Sequence, residues 1–140
     1  MYRYGHIGIS LLILSIISFL FGLDLKDPNI LIPFAVTVGL SSLPDIDQRF
    51  EIPHRGFTHS LLFSLIIGII GYALFGIIGF LVGFGAIFLH IIGDIMTIQE
   101  VEFLWPFRRG NISLELFPAD NPIANYGFLI LGGIAFFLAY

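Results

Sequence analysis

A chain of 140 residues that is 57% hydrophobic and only 11% charged cannot cover a water-soluble globule, because soluble domains carry about 25% charged residues. A bilayer is the solvent such a composition suits, and the length allows one membrane domain, residues 1–140, with no separate soluble one. The net charge of -4 speaks against nucleic-acid binding, and the absence of cysteine excludes disulfides, thiolate ligands and a cysteine nucleophile.

A membrane helix needs about 20 mostly apolar residues. The first predicted span, 5–23, follows Arg3, contains His6 and is stopped by Asp24–Leu25–Lys26–Asp27–Pro28. No small-residue cleavage site follows it, so it reads as a retained helix and not as a signal peptide. The second, 29–43, ends at Pro44; it is short for a full crossing, which puts the polar loop after it below the headgroups. The third and fourth, 58–74 and 76–97, can be separated only by a tight turn near Phe75–Gly76. Between the fourth and fifth, acids, Arg108, Arg109, Trp105 and prolines at 106, 118 and 122 describe an interfacial segment, with Trp105 and Phe107 as aromatic anchors. The fifth span, 126–140, closes the chain. The expectation is an all-α integral membrane protein of about five transmembrane helices, with the lipid bilayer as its first partner.

Five crossings place the termini on opposite sides. The amino terminus, the 44–57 loop and the 98–124 segment then share one face and hold Arg3, Arg49, Arg55, Arg108 and Arg109, whereas the other face has Lys26 alone. Positive residues favour the cytoplasmic side, so the amino terminus and the loop-rich face are expected in the cytoplasm.

The same arrangement gathers the polar residues. The stretch "PDIDQRFEIPHRGFTHS" sets Asp45, Asp47, His54 and His59 at that face. His6 opens the first helix there, and His90 and Asp94 end the fourth. His90 and Asp94 are i and i+4, hence on one helical face. Asp45 and Asp47 alternate after a proline, Gly56 permits a bend between His54 and His59, and Thr58 is placed to cap the third helix. Imidazole and carboxylate together suit zinc, manganese or iron. These seven residues offer enough ligands for one or two divalent ions, with zinc first. A cation would also offset the cost of carboxylates buried near lipid. Taken singly, His6 is a candidate for a plain hydrogen-bonding role, Asp47 for a turn cap, and Arg49 and Glu51 for solvated charges. Arg55 is suited to an anion through its planar fork, Arg108 and Arg109 to lipid headgroups, and Gly79 and Gly83 to helix packing.

"LPDID", "HRGFTHS", "HIIGDIMT" and "LWPF" together resemble the family of membrane-bound metal-dependent hydrolases, the YdjM-like, LexA-regulated inner-membrane proteins. The similarity runs from His6 to Phe107. It implies a small polytopic enzyme of the inner membrane that hydrolyses an ester, plausibly a phosphoester, with His6, Asp45, Asp47, His54, His59, His90 and Asp94 at its metal site. The loop between Asp47 and His54 is shorter than the family's usual one. On this reading Asp47 or Asp94, where not a ligand, takes a proton from metal-activated water, and Arg55 holds an anionic, amphipathic substrate such as a lipid or isoprenoid phosphate. Two alternatives differ in kind. A metal-free phosphohistidine phosphatase would use the His90–Asp94 pair but lacks a Ser-Gly-His element. A metal or proton transporter would need polar residues near the midplane and toward both exits. The sequence leaves the substrate, the metal and the oligomeric state open.

Overall fold

A computed structural model describes residues 1–49, 54–107 and 111–140. Glu51, Arg108 and Arg109 therefore lie outside the described residues, as does the side chain of Arg49. The described chain is all-helical with four helices, α1 (Arg3–Leu20), α2 (Pro28–Leu40), α3 (Leu61–Ile95) and α4 (Pro122–Ala139). All four are long and apolar enough to cross a membrane, α2 when counted with the turn that follows it to Asp47.

Each boundary has a local cause. The end of α1 is closed by a left-handed Gly22 (φ 62°), with Leu23 N–H donating to Ser18 O at 2.8 Å, the hydrogen-bond pattern that satisfies the last carbonyls of a helix. Asp27 caps α2 by accepting from Asn29 N at 2.9 Å, with Pro28 at the first helical position, where a missing N–H costs nothing. Ser60, not Thr58, caps α3, accepting from Phe63 N at 3.1 Å. Asn121 caps α4 through Ala124 N, so this helix begins four positions before the expected Tyr126; the Asn121–Pro122 pair that reads as loop is a helix start.

The expectation of about five spans is met by four helices, one of which, the 35-residue α3, is a hairpin whose two legs take the place of the third and fourth expected spans. Unbroken, that length would reach about 52 Å, far beyond a hydrocarbon core of about 30 Å. It is broken at Gly76, whose φ of 65° and ψ of -151° lie where only glycine sits without strain. The legs 61–75 and 77–95 fold back on one another so closely that a Cβ on Gly71 would strike the carbonyl of Gly79. Helices α1 and α4 pack side by side in the same direction, with Gly8 against the backbone of Phe128 and Leu129.

The outward surface is what a bilayer requires. Phe19, Phe75 and Phe137 are 77%, 76% and 80% exposed, and such large apolar side chains in numbers need lipid or a partner to cover them. The end of the bundle holding Asp24, Lys26 and Tyr140 is remote from the end holding His6, His59, His90 and Asp94. Lys26 lies 5.7 Å from the Tyr140 ring centroid, and Leu25 packs with Phe34 and Phe136.

Candidate metal centre

Four separate chain segments deliver the histidine layer. The first turn of α1 brings His6, the short turn Leu43–Arg49 brings Asp45 and Asp47, the turn Phe57–His59 brings His59, and the last turns of α3 bring His90 and Asp94. All of these are fully buried except Asp45, whose side chain is 21% exposed. His54 stands at the margin with 35% of its side chain exposed.

Hydrogen bonds fix which ring nitrogens face the centre. The Ser41 carbonyl accepts from His90 Nδ1 at 2.7 Å. Thr58 Oγ1 donates to Asp47 Oδ2 at 2.7 Å and lies 2.9 Å from His59 Nδ1. Its own proton is thus spent on Asp47, and its oxygen accepts from His59. These bonds favour the neutral tautomers with the proton on Nδ1, and they turn Nε2 of both imidazoles inward. The two Nε2 atoms lie 3.0 Å apart, and Asp94 Oδ2 is 3.3 Å from each. Asp45 Oδ1 is 3.8 Å from His59 Nε2 and 3.7 Å from His90 Nε2. Asp94 Oδ2 is buried with no hydrogen-bond partner, which a native interior rarely leaves unexplained.

Two imidazole nitrogens and carboxylate oxygens this close are compensated by a proton or by a cation between them. Ligands about 2.1 Å from a tetrahedral ion are separated by roughly 3.4 Å, and the distances of 3.0–3.8 Å just given bracket that edge. The second nitrogen of each histidine is donated to a carbonyl or, through Thr58, to a carboxylate, the arrangement that orients metal-binding imidazoles. Three overlapping sets, His6–Asp45–His90, Asp45–His54–His59 and His59–His90–Asp94, bring ligand atoms within 4.8 Å of one another. These residues could hold a metal ion. Asp47 belongs to none of the three sets and lies on the Nδ1 side of His59, 3.3 Å from that nitrogen.

Asp94 divides its oxygens between two jobs. Oδ2 faces the imidazoles, whereas Oδ1 accepts from Arg55 Nη2 at 2.9 Å and from the Met1 amine at 2.6 Å. Arg55 also donates through Nη1 to Thr97 Oγ1 at 3.0 Å and Gln99 O at 2.6 Å. It is 7% exposed. The fork that the sequence offers to a substrate anion is therefore turned to oxygens of the protein. His6 stacks on His90 with centroids 3.7 Å apart, in space that a side chain on Gly93 would fill, and neither of its nitrogens has a hydrogen-bond partner.

For His59, outside the spanning helices, burial disfavours the charged imidazole. The carboxylates of Asp45, Asp94 and Asp47 outweigh it and raise the pKa above the ordinary value. The electrostatic demand for positive charge is thus felt at His59 itself.

Sequence reasoning missed the Ser41 carbonyl, Thr58 as the link to Asp47, Thr97, and Asn125, which is buried and accepts from Tyr2 N at 2.9 Å. Thr58 was in view as a cap, but a backbone carbonyl leaves no trace in residue type.

No curated protein and no solved structure matches the chain. One family model does, that of the YdjM inner membrane protein, over residues 1–139, and the chain belongs to this family of inner membrane proteins.

Proposed function

We propose that the protein is a metal-dependent hydrolase of the inner membrane, acting on a phosphoester of an amphipathic substrate with a single zinc ion. The observation that carries this reading is the convergence of two imidazole Nε2 atoms, 3.0 Å apart, beside Asp94 Oδ2, which has no hydrogen-bond partner among the described residues. His59, His90 and Asp94 would hold the ion, leaving the fourth position, beside the more accessible carboxylate of Asp45, to a water oxygen. Two nitrogens and two oxygens without sulfur suit zinc, with manganese or iron as alternatives. His90 has one ring nitrogen left after its bond to Ser41, which favours one ion over two. A bound divalent ion supplies a water of lowered pKa and polarises the scissile phosphoryl group.

The surrounding side chains have separable parts. Asp47 orients His59 through Thr58 and also accepts from His54 Nδ1 at 3.0 Å. His54 stands at the open margin, held there by its bond to Asp47. Arg55 neutralises Asp94 Oδ1. The excess of arginine at this end of the chain supports a cytoplasmic orientation.

The phosphohistidine alternative fits less well: Asp94 lies on the Nε2 side of His90, where a phosphoryl group would have to bind, and Nδ1 is oriented by Ser41 instead. Among the described residues the ionisable groups sit at the ends of the bundle and not at its midplane, which favours an enzyme over a transporter. Metal analysis of the detergent-purified protein, followed by hydrolysis of a phosphomonoester panel, tests the reading. About one zinc per chain is expected, lost together with turnover in His59→Ala and His90→Ala. Full metal content in both variants would refute it.

A further inference from the structure

The way into this site follows from what covers it. His59, His90 and Asp94 have no exposed surface. The segment after α3 is tied down beside them, since Arg55 reaches Thr97 and Gln99, Glu102 N–H donates to Arg55 O at 3.0 Å, and Leu61 N–H donates to Phe103 O at 2.9 Å. Of the described site residues only Asp45 and His54 have appreciably exposed side chains. Asp45 lies just past the carboxyl end of α2, where its neighbours Leu40 and Ile46 are 37% and 40% exposed. The open side of the centre is therefore bordered by apolar residues at the end of a membrane helix.

A groove in the lipid-facing surface has one end at Leu40, without being lined by the site residues themselves. It runs between α2 and the α3 hairpin, with a volume of about 560 Å³, within the 300–1,000 Å³ typical of small-molecule sites. Ile32, Val36 and Leu40 form one wall and Ile67, Ile70 and Val82 another. Its floor exists because Gly71, Gly79 and Gly83, where the legs touch, carry no side chains. From Leu40 to Ile32 it descends about 12 Å, close to the depth of one leaflet at about 15 Å. Leu40 at its upper end adjoins Ser41, whose carbonyl holds His90. The cleft between α1 and α4, beside Ile16 and Phe19, is half the size at about 270 Å³ and is lined by the ends of these helices remote from the site.

We propose that the substrate is a bilayer lipid with a phosphoester head, which enters sideways from the membrane, lays one acyl chain in the α2–α3 groove and presents its head beside Asp45. This deepens the hydrolase reading and rests on it. The chain end is recognised by shape and apolar burial, and the head by the cation and His54.

The test uses phosphatidic acid with a mid-chain diazirine, in phosphatidylcholine vesicles holding the zinc-loaded protein, with labelled residues mapped by mass spectrometry. Labelling is expected at Val36, Ile67, Ile70 and Val82. It should exceed labelling by diazirine phosphatidylcholine roughly tenfold, the preference one charge-assisted head contact gives. The double variant Val36→Trp, Val82→Trp should keep its zinc and its thermal unfolding. It should lose groove labelling, and its turnover of phosphatidic acid should fall relative to that of soluble p-nitrophenyl phosphate. Ile16→Trp, in the opposite cleft, should change neither. Equal labelling by both lipids, or equal labelling of both clefts, would overturn the proposal. If neither phosphate is hydrolysed while selective groove labelling persists, the hydrolase reading fails and the lipid site stands. If both are hydrolysed and the filled groove leaves their ratio unchanged, the lipid site fails and the hydrolase stands.

Discussion

The two ends of the bundle use the same residue types in opposite ways. At the turn between α1 and α2, Asp24 accepts from Lys26 N and Asp27 from Asn29 N, each bond spanning two residues and exposed to solvent. At the other end, Asp94 is held by Arg55, 39 positions away, and by the Met1 amine, 93 positions away, with no exposure at all. A carboxylate that bonds its own turn needs nothing from the fold. One that must be neutralised by distant groups makes the fold depend on it, and concentrates charge where a metal ion can use it.

The largest effect that would separate the two ends is expected from Asp94→Ala. It leaves Arg55 buried without its partner, a change that costs about 3–5 kcal/mol, and it removes a ligand. Thermal unfolding in detergent and metal content should fall together; loss of metal with unchanged stability would mean Arg55 is compensated by Thr97 and Gln99 alone.

Next comes Arg55. Because its fork faces Asp94 and not solvent, Arg55→Ala should weaken metal affinity by roughly 10–100-fold, the usual cost of losing a group that orients a ligand. Arg55→Lys should restore part of it. Unchanged affinity with abolished turnover, measured by metal titration and by phosphomonoester hydrolysis, would return this residue to a substrate-anion role.

Acid should act in opposite senses on the metal-free and metal-bound forms. With its pKa raised by Asp45, Asp94 and Asp47, metal-free His59 is protonated over a wider range than an ordinary histidine. The proton stabilises the metal-free fold at low pH, and this contribution disappears as pH rises through the raised pKa. Metal stabilisation has the opposite sign, because binding requires the neutral ring. The metal-induced rise in melting temperature should therefore shrink as pH is lowered through that pKa. A constant increment would show that His59 is not a ligand.

The smallest effect is expected from Asp27→Ala, which removes a helix cap worth about 1 kcal/mol and should leave metal content unchanged. Glu100→Ala should behave likewise: its carboxylate bonds to Asn111 and belongs to none of the candidate ligand sets. If either variant lost metal, general negative charge and not geometry would be gathering the ion.

How much of this was legible depends on whether a feature is local. The Gly76 reversal could be read because a tight turn was the only way to fit two spans there, and His90–Asp94 could be paired because helical periodicity fixes which residues share a face. The split between Asp45 and Asp47 could not. Both sit in one short turn, and only tertiary placement puts Asp45 on the Nε2 side of His59 and Asp47 on the Nδ1 side. Arg55 was misleading for a similar reason: its left-handed backbone (φ 66°) turns the side chain back into the protein, and nothing in residue type announces such a conformation.

The length of α2 carries a consequence for the surrounding lipid. Thirteen residues make a helix of about 20 Å in a hydrocarbon layer of about 30 Å, while α1 and α4, at 18 residues each, are nearer the full thickness. The α3 leg 61–75, at about 22 Å, is short as well, and the turn to Asp47 carries the α2 crossing to 20 residues only by bringing Asp45 and Asp47 into it. Where these short helices face lipid the membrane thins or its chains tilt, at fractions of a kcal/mol per ångström, which biases the protein among membranes. A thinner bilayer should accept it more readily, so reconstitution into lipids of decreasing chain length should raise its melting temperature until α1 and α4 become the longer partners.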